Sequence, residues 1–174
     1  MVESLEGFPE SIKFLSQQKE WAQNCPLLSD LLYVREEYRV VIENYLEPYL
    51  SYYVVPNADT AVEAIQLLGR SQKGRANFFL LDAFQAQGND LLFAPEGIRA
   101  TDLVEVEPRY RPLLEYLLQN VFITHDDNAA ARADLLKDFP DAVILSQSST
   151  FARRRYALSG GSVKLFESKK IGRK

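Results

Sequence analysis

One histidine and one cysteine are all that this sequence offers for nucleophilic or soft-metal chemistry. His125 follows the apolar run VFIT and precedes Asp126 and Asp127, where a metal or acid–base site could use it. The same three residues describe a helix start, with Asp126 as a cap, and that plainer reading is preferred. Cys25 stands beside Pro26 with no neighbouring base to lower its pKa, so it reads as a packed small residue. No second histidine completes a nucleophilic pair. GRSQKGR (Gly69–Arg75) resembles the phosphate-cradling G-x-x-x-x-G-K-[ST]. Arg75 takes the place of its lysine, however, and Ala76 that of its magnesium-holding hydroxyl. The order is also helix, loop, strand, where a phosphate loop needs strand, loop, helix. It reads as a turn. Glu36–Glu37 and Glu105–Glu107 read as solvated charge, the first pair complementing a helix N-terminus. The residues thus supply no catalytic group, no metal site and no cofactor site.

Arg153, Arg154 and Arg155 beside Tyr156 form the most suggestive cluster, and two readings of it stay open. The arginines could grip phosphate while the ring stacks on a base, with Lys164, Lys169 and Lys170 extending the positive field. Alternatively they lie on a strand, facing water or pairing with acids of another subunit.

The chain of 174 residues carries ten Phe and nine Tyr and is 47% hydrophobic, enough for one domain or for two small halves sharing a core. Its net charge of −4 argues against a general nucleic-acid binder. That charge is uneven: from Arg153 onward there are eight Lys/Arg and a single Glu. Such asymmetry means either an acidic partner at one end or a piece of a longer chain, and we favour the second. A single cysteine excludes an intrachain disulfide framework and fits a reducing compartment. Neither a secretory leader pattern nor an apolar run of about twenty residues is found, so a soluble, cytoplasmic protein with no membrane partner is expected.

The elements that would position these residues occur twice. SDLLYVREEYRVVIENYL (Ser29–Leu46) aligns without a gap over TDLVEVEPRYRPLLEYLL (Thr101–Leu118). Asp30 meets Asp102, Val34 meets Val106, and Tyr38, Arg39 and Glu43 meet Tyr110, Arg111 and Glu115. A fainter likeness follows, YVVPNADTA (Tyr53–Ala61) over VFITHDDNA (Val121–Ala129), which sets Asn57 against His125. A repeat of this length sets the fold. Each copy reads strand, helix, strand, helix, strand. Strands are expected at Leu31–Val34, Tyr52–Val55 and Asn77–Leu81, and again at Leu103–Val106, Val121–Thr124 and Ala142–Leu145. Helices are expected at Glu36–Leu46, Asp59–Leu68, Pro108–Leu118 and Asn128–Phe139, with Asn57 capping the second. Pro108 suits a first helical turn, and Pro112 is tolerable only if it lies in that turn too. Phe84–Arg99, with Gly88, Pro95 and Gly97, reads as a connector.

In this order the segments resemble the hinge domain of the SMC (structural maintenance of chromosomes) proteins, chromosome-organising ATPases. LEGFPESIKFL (Leu5–Leu15) is similar to the family's opening "GF-x-x-G-V-K-x-L". The first repeat block looks like "D-L-I-x-V-x-x-x-Y-x-x-A-I-E-x-A-L", and Ala58–Asp82 matches "A-x-x-A-I-x-x-L-K-x-x-x-x-G-R-A-T-F-L-P-L". SGG (Ser159–Gly161) resembles the end of its "G-G-S-x-T-G-G" run, whose small residues let backbones approach. Here the chain departs from the pattern, since Arg155 and Tyr156 fall on the first glycine pair. The family's glycine before the first block is also missing around Asn24–Pro26.

The resemblance implies an α/β fold of two pseudo-repeated mixed subdomains, residues 1–99 and 100–174, the second including the start of the returning coiled-coil arm. It implies a non-catalytic module that joins two arms far from the ATPase heads and pairs with a second copy into a ring-like dimer. That pairing would run through strand edges of both halves, where we expect Phe78, Arg155, Tyr156, Ser159, Gly160 and Gly161. A bacterial-type homodimer associated with the nucleoid is expected, in which DNA binds this piece weakly if at all and kleisin and accessory subunits bind elsewhere. The alternative is a DNA-binding module built on Arg153–Arg155 and the basic tail.

Overall fold

The computed structural model describes residues 8–84, 98–125, 136–137, 139–148 and 151–160, and the backbone of 172–173. Three helices open the chain: α1 (Glu10–Ser16), α2 (Lys19–Ala22) and α3 (Leu28–Leu31). Strand β1 (Tyr33–Val34) is shorter than expected because Leu31 is still helical. Helix α4 (Glu36–Leu46) has the expected bounds. It buries Tyr38, Val41, Ile42 and Leu46 at helical spacing and leaves Glu36 and Glu37 in water at its positive end.

Strands β2 (Tyr53–Val55) and β3 (Phe78–Leu80) pair in parallel, joined by α5 (Ala58–Ser71). Asn57 caps α5 as expected, its Oδ1 accepting from the Thr60 N–H at 3.0 Å. The helix leaves through Gln72, at φ 52°, and Gly74, at φ +95°, a conformation that calls for glycine. The GRSQKGR segment is therefore a helix exit.

The second half holds β4 (Ile98–Arg99), β5 (Val104–Glu105), α6 (Arg111–Leu118), β6 (Val121–Thr124) and β7 (Val143–Ser146). The expected helix from Pro108 begins as a 3-10 turn over Pro108–Tyr110, and Pro112 falls in the first turn of α6. Two further strands, β8 (Phe151–Arg153) and β9 (Leu158–Gly160), make a hairpin that extends the sheet β4-β6-β7-β8-β9. Ile98–Arg99, read as the end of a connector and assigned to the first half, pairs antiparallel with β6 of the second. The expected helix at Asn128–Phe139 and the cap Asp126 lie largely outside the described residues.

The halves meet where β1 runs antiparallel to β5, with Tyr33 opposite Glu105 and Val34 opposite Val104. Setting Asp30 over Asp102 in the sequence also sets Tyr33 over Glu105, the two residues that pair here. One apolar cluster serves both halves, with Leu32, Ile42 and Leu46 packed among Leu113, Leu114 and Leu118. A second cluster joins α1 and α2 to α5 through Trp21, Tyr53 and Ala64. The basic C-terminal segment also contributes one contact. Strand β10 (Gly172–Arg173) adds in parallel to β1, where the edge opposite β5 has backbone groups to satisfy.

Candidate functional site

The residues first considered for chemistry are held in structural roles. His125 is exposed, with Tyr38 Oη 3.2 Å from Nε2 and Gln147 at Nδ1. No group of three or more His, Cys, Asp or Glu suited to a metal ion occurs among the described residues. Glu37, Glu105 and Glu107 face water, and Glu36 does so while lying 3.5 Å from Arg39 Nη2.

Cys25 is buried in the second cluster, and that burial, followed by the charge of Glu63, pushes its thiol from 9.0 up to about 11. Such a raised group favours the fold fully below its unfolded value and loses that contribution as pH rises through the folded one. Tyr53 is raised in the same direction, by burial first and then by Asp30 and Cys25. Stability to urea is therefore expected to fall as pH climbs from 9 to 11, and less steeply in Cys25→Ala. Equal slopes in the two proteins would remove the thiol as a cause.

The arginine cluster is divided by the fold. Arg153 lies half-buried in β8 with its Nε enclosed, Arg154 sits over the Tyr45 ring at 5.8 Å, and Arg155 is exposed over Tyr156 at 5.0 Å. Arg154 and Arg155 border a groove of about 1070 Å³ shared with Tyr45, Tyr116 and Asn120. Lys164, Lys169 and Lys170 lie outside the described residues, as does Gly161.

Among the described residues, two strand edges, those of β9 and β3, lack a partner strand. β9 ends the five-stranded sheet, and β3 is the outer partner of β2. All three residues of β9 are exposed; Leu158 retains 59% of its surface and Tyr156, in the preceding turn, 86%. The ladder fixes which backbone groups face outward. Arg154 and Ala157 exchange both hydrogen bonds, at 2.8 and 3.4 Å, and β8 and β9 pair Ala152 with Ser159. Alternation along an antiparallel pair then turns Ser159 toward β8 and leaves the N–H and C=O of Leu158 and Gly160 pointing away from the sheet. On β3, Tyr53 N–H donates to Asn77 C=O at 3.1 Å. Phe79 therefore faces β2, and Phe78 and Leu80 present their N–H and C=O outward. Each edge offers two residues for pairing with another strand.

Residues 23–133 match the family model described as the SMC proteins flexible hinge domain. The chain belongs to this family. The hinge of Geobacillus stearothermophilus SMC, solved as an asymmetric dimer, superposes with a TM-score of 0.78 over 91% of this chain and 68% of that one, at 24% identity. The Pyrococcus furiosus SMC hinge covers 95% of this chain and 97% of its own, with a TM-score of 0.67 and 18% identity. Among curated relatives, the chromosome partition protein Smc of Chlorobaculum tepidum is 34% identical over 175 residues. That match takes in 100% of this chain but only 15% of the relative, so the hinge chain spans a small part of such proteins. The mixed α/β architecture expected from the sequence is that of these hinges.

Of the residues expected at the hinge's pairing surface, Phe78 is on the β3 edge, Ser159 and Gly160 are on the β9 edge, and Arg155 and Tyr156 occupy the turn before β9. The ladder register adds Leu80 and Leu158 to these edges as residues whose backbone groups face outward. Their signal is the strand period itself, which assigns outward backbone groups to alternate residues.

Proposed function

We propose that this hinge is a dimerisation module, and that two copies associate through β3 of each chain and β9 of the other. The observation that carries this reading is the pair of strand edges, β3 and β9, that have no partner strand among the described residues, the second flanked by the exposed Leu158 and Tyr156. Such edges invite pairing with a second chain. A contact from half one to half two, repeated in reverse, closes a two-fold ring and leaves neither edge free. In the longer proteins whose length this chain covers only in part, the ring would join two coiled-coil arms and so serve chromosome partition. Its role there is mechanical, and its partner is a second copy of itself.

When tagged and untagged copies of this chain are co-expressed at equal levels, the tagged copy is expected to carry the untagged one through purification, about one untagged chain for every two tagged. A tagged chain that emerges alone at micromolar concentration contradicts the reading.

A further inference from the structure

We propose that β9 of one chain runs antiparallel to β3 of the other, with Arg155 of each chain beside Asp82 of the partner subunit. The proposal rests on the dimerisation reading and specifies its geometry. In an antiparallel pair, residues that exchange hydrogen bonds must both have their N–H and C=O turned toward the partner. Leu158 and Gly160 qualify on β9, and Phe78 and Leu80 on β3. The register that satisfies both pairs at once sets Leu158 opposite Leu80 and Gly160 opposite Phe78.

That register is also complementary in shape. Directly opposed residues project to the same face, so the glycine leaves room for the Phe78 ring while the two leucines meet. Phe78 and Leu80 already pack against one cluster, so the exposed Leu158 would extend it.

Charge decides the direction of the strand. Continuing the antiparallel register past Leu158 brings the Arg155–Tyr156 turn alongside Asp82, in the 3-10 turn Leu81–Ala83 after β3. Both Arg155 and Asp82 are exposed, and neither forms an ion pair among the described residues. A parallel arrangement would carry the same turn toward the opposite end of β3. There Arg75, also exposed, comes within about one position of Arg154 or Arg155, and like charges oppose each other. The arginine that replaces a family glycine thus has a counter-charge in one orientation only.

The test is the dimer dissociation constant of four proteins (unmodified, Arg155→Asp, Asp82→Arg and the double exchange) measured by sedimentation velocity at low and high salt. At low salt each single reversal is expected to weaken the dimer about five- to tenfold, since two exposed pairs become repulsive. The double exchange should return to within about twofold of the unmodified chain. All differences should shrink above about 0.5 M salt. Tighter association of Arg155→Asp would place the turn beside Arg75 and overturn the antiparallel assignment. A dimer indifferent to all three changes overturns the pairing but leaves dimerisation standing, whereas an unmodified chain that stays monomeric removes both. Circular dichroism on each variant shows that the fold is intact, as expected for two surface positions.

Discussion

Replacing Leu158 with proline is expected to leave a folded chain that no longer self-associates. The Leu158 N–H points away from β8, so the ladder within the hairpin keeps all its bonds when that donor is lost. Proline is tolerated on an edge strand for this reason. At a paired edge the same ring removes a donor, strands an acceptor on the facing strand and holds the two backbones apart. An unmet buried acceptor costs about 1–3 kcal/mol, and the two-fold repeats the loss, so dimer affinity should fall by more than about a hundredfold. Ser159→Pro is the informative contrast. Its N–H belongs to the internal ladder with Ala152, so that change should lower the stability of the monomer itself. If Leu158→Pro sediments like the unmodified chain, β9 is not a pairing edge.

The largest stability effect is expected at Trp21. Its ring meets Tyr53 edge-on at 4.9 Å and Phe78 at 6.1 Å, and its Nε1–H donates to Thr60 C=O at 3.0 Å. One side chain thereby fastens the opening helices to α5 and to β3. Trp21→Ala leaves a cavity among buried residues that cannot all close in, at a cost of about 3–5 kcal/mol. Trp21→Phe keeps most of the ring contacts but loses the indole hydrogen bond to the Thr60 carbonyl, which stays within the hydrogen-bond ladder of α5, and about 1 kcal/mol is expected. Urea unfolding followed by far-ultraviolet circular dichroism measures both, since the only tryptophan is then gone. Because Phe78 loses support on the same face, the alanine variant should also dimerise more weakly than its stability loss alone predicts. Equal stability of Trp21→Ala and the unmodified chain would show that α1 and α2 dock without this ring.

Much of the architecture was legible because local signals agreed with one another. Helix α4 has the bounds its apolar spacing implies, Asn57 caps α5 where its type and position suggested, and Val121–Thr124 is a strand throughout. Legibility failed where tertiary pairing decides. Tyr33–Val34 and Val104–Glu105 are strands of two residues defined by pairing with segments distant in sequence, and Leu31 stays helical against its apolar pattern. Ile98–Arg99 looked like the end of a linker because a two-residue edge strand carries no period of its own.

The candidate site divided in the same way. Glycine and serine at Ser159–Gly160 signal close backbone approach, and the family pattern pointed to them. Strand alternation leaves two phases open for Leu158 and Leu80, and only the ladder register decides that their backbone groups face outward. Charge was misleading as well as useful. Three consecutive arginines suggested one basic surface, yet Arg153 is half-buried in β8 and Arg154 lies over Tyr45. Conversely, Arg39 and Glu43 are buried, although a single copy of their helix gives no reason to expect it. Their recurrence as Arg111 and Glu115, 3.7 Å apart on α6, was the available sign that the positions matter to the fold.

Sedimentation equilibrium of the unmodified 174-residue chain, from nanomolar to tens of micromolar, tests the central claim most directly. Two-edge pairing predicts a mass near twice the 19.8 kDa of one chain, with dissociation only toward the dilute end. A single-chain mass at every concentration would contradict it, and the strand edges of β3 and β9 would then need another partner.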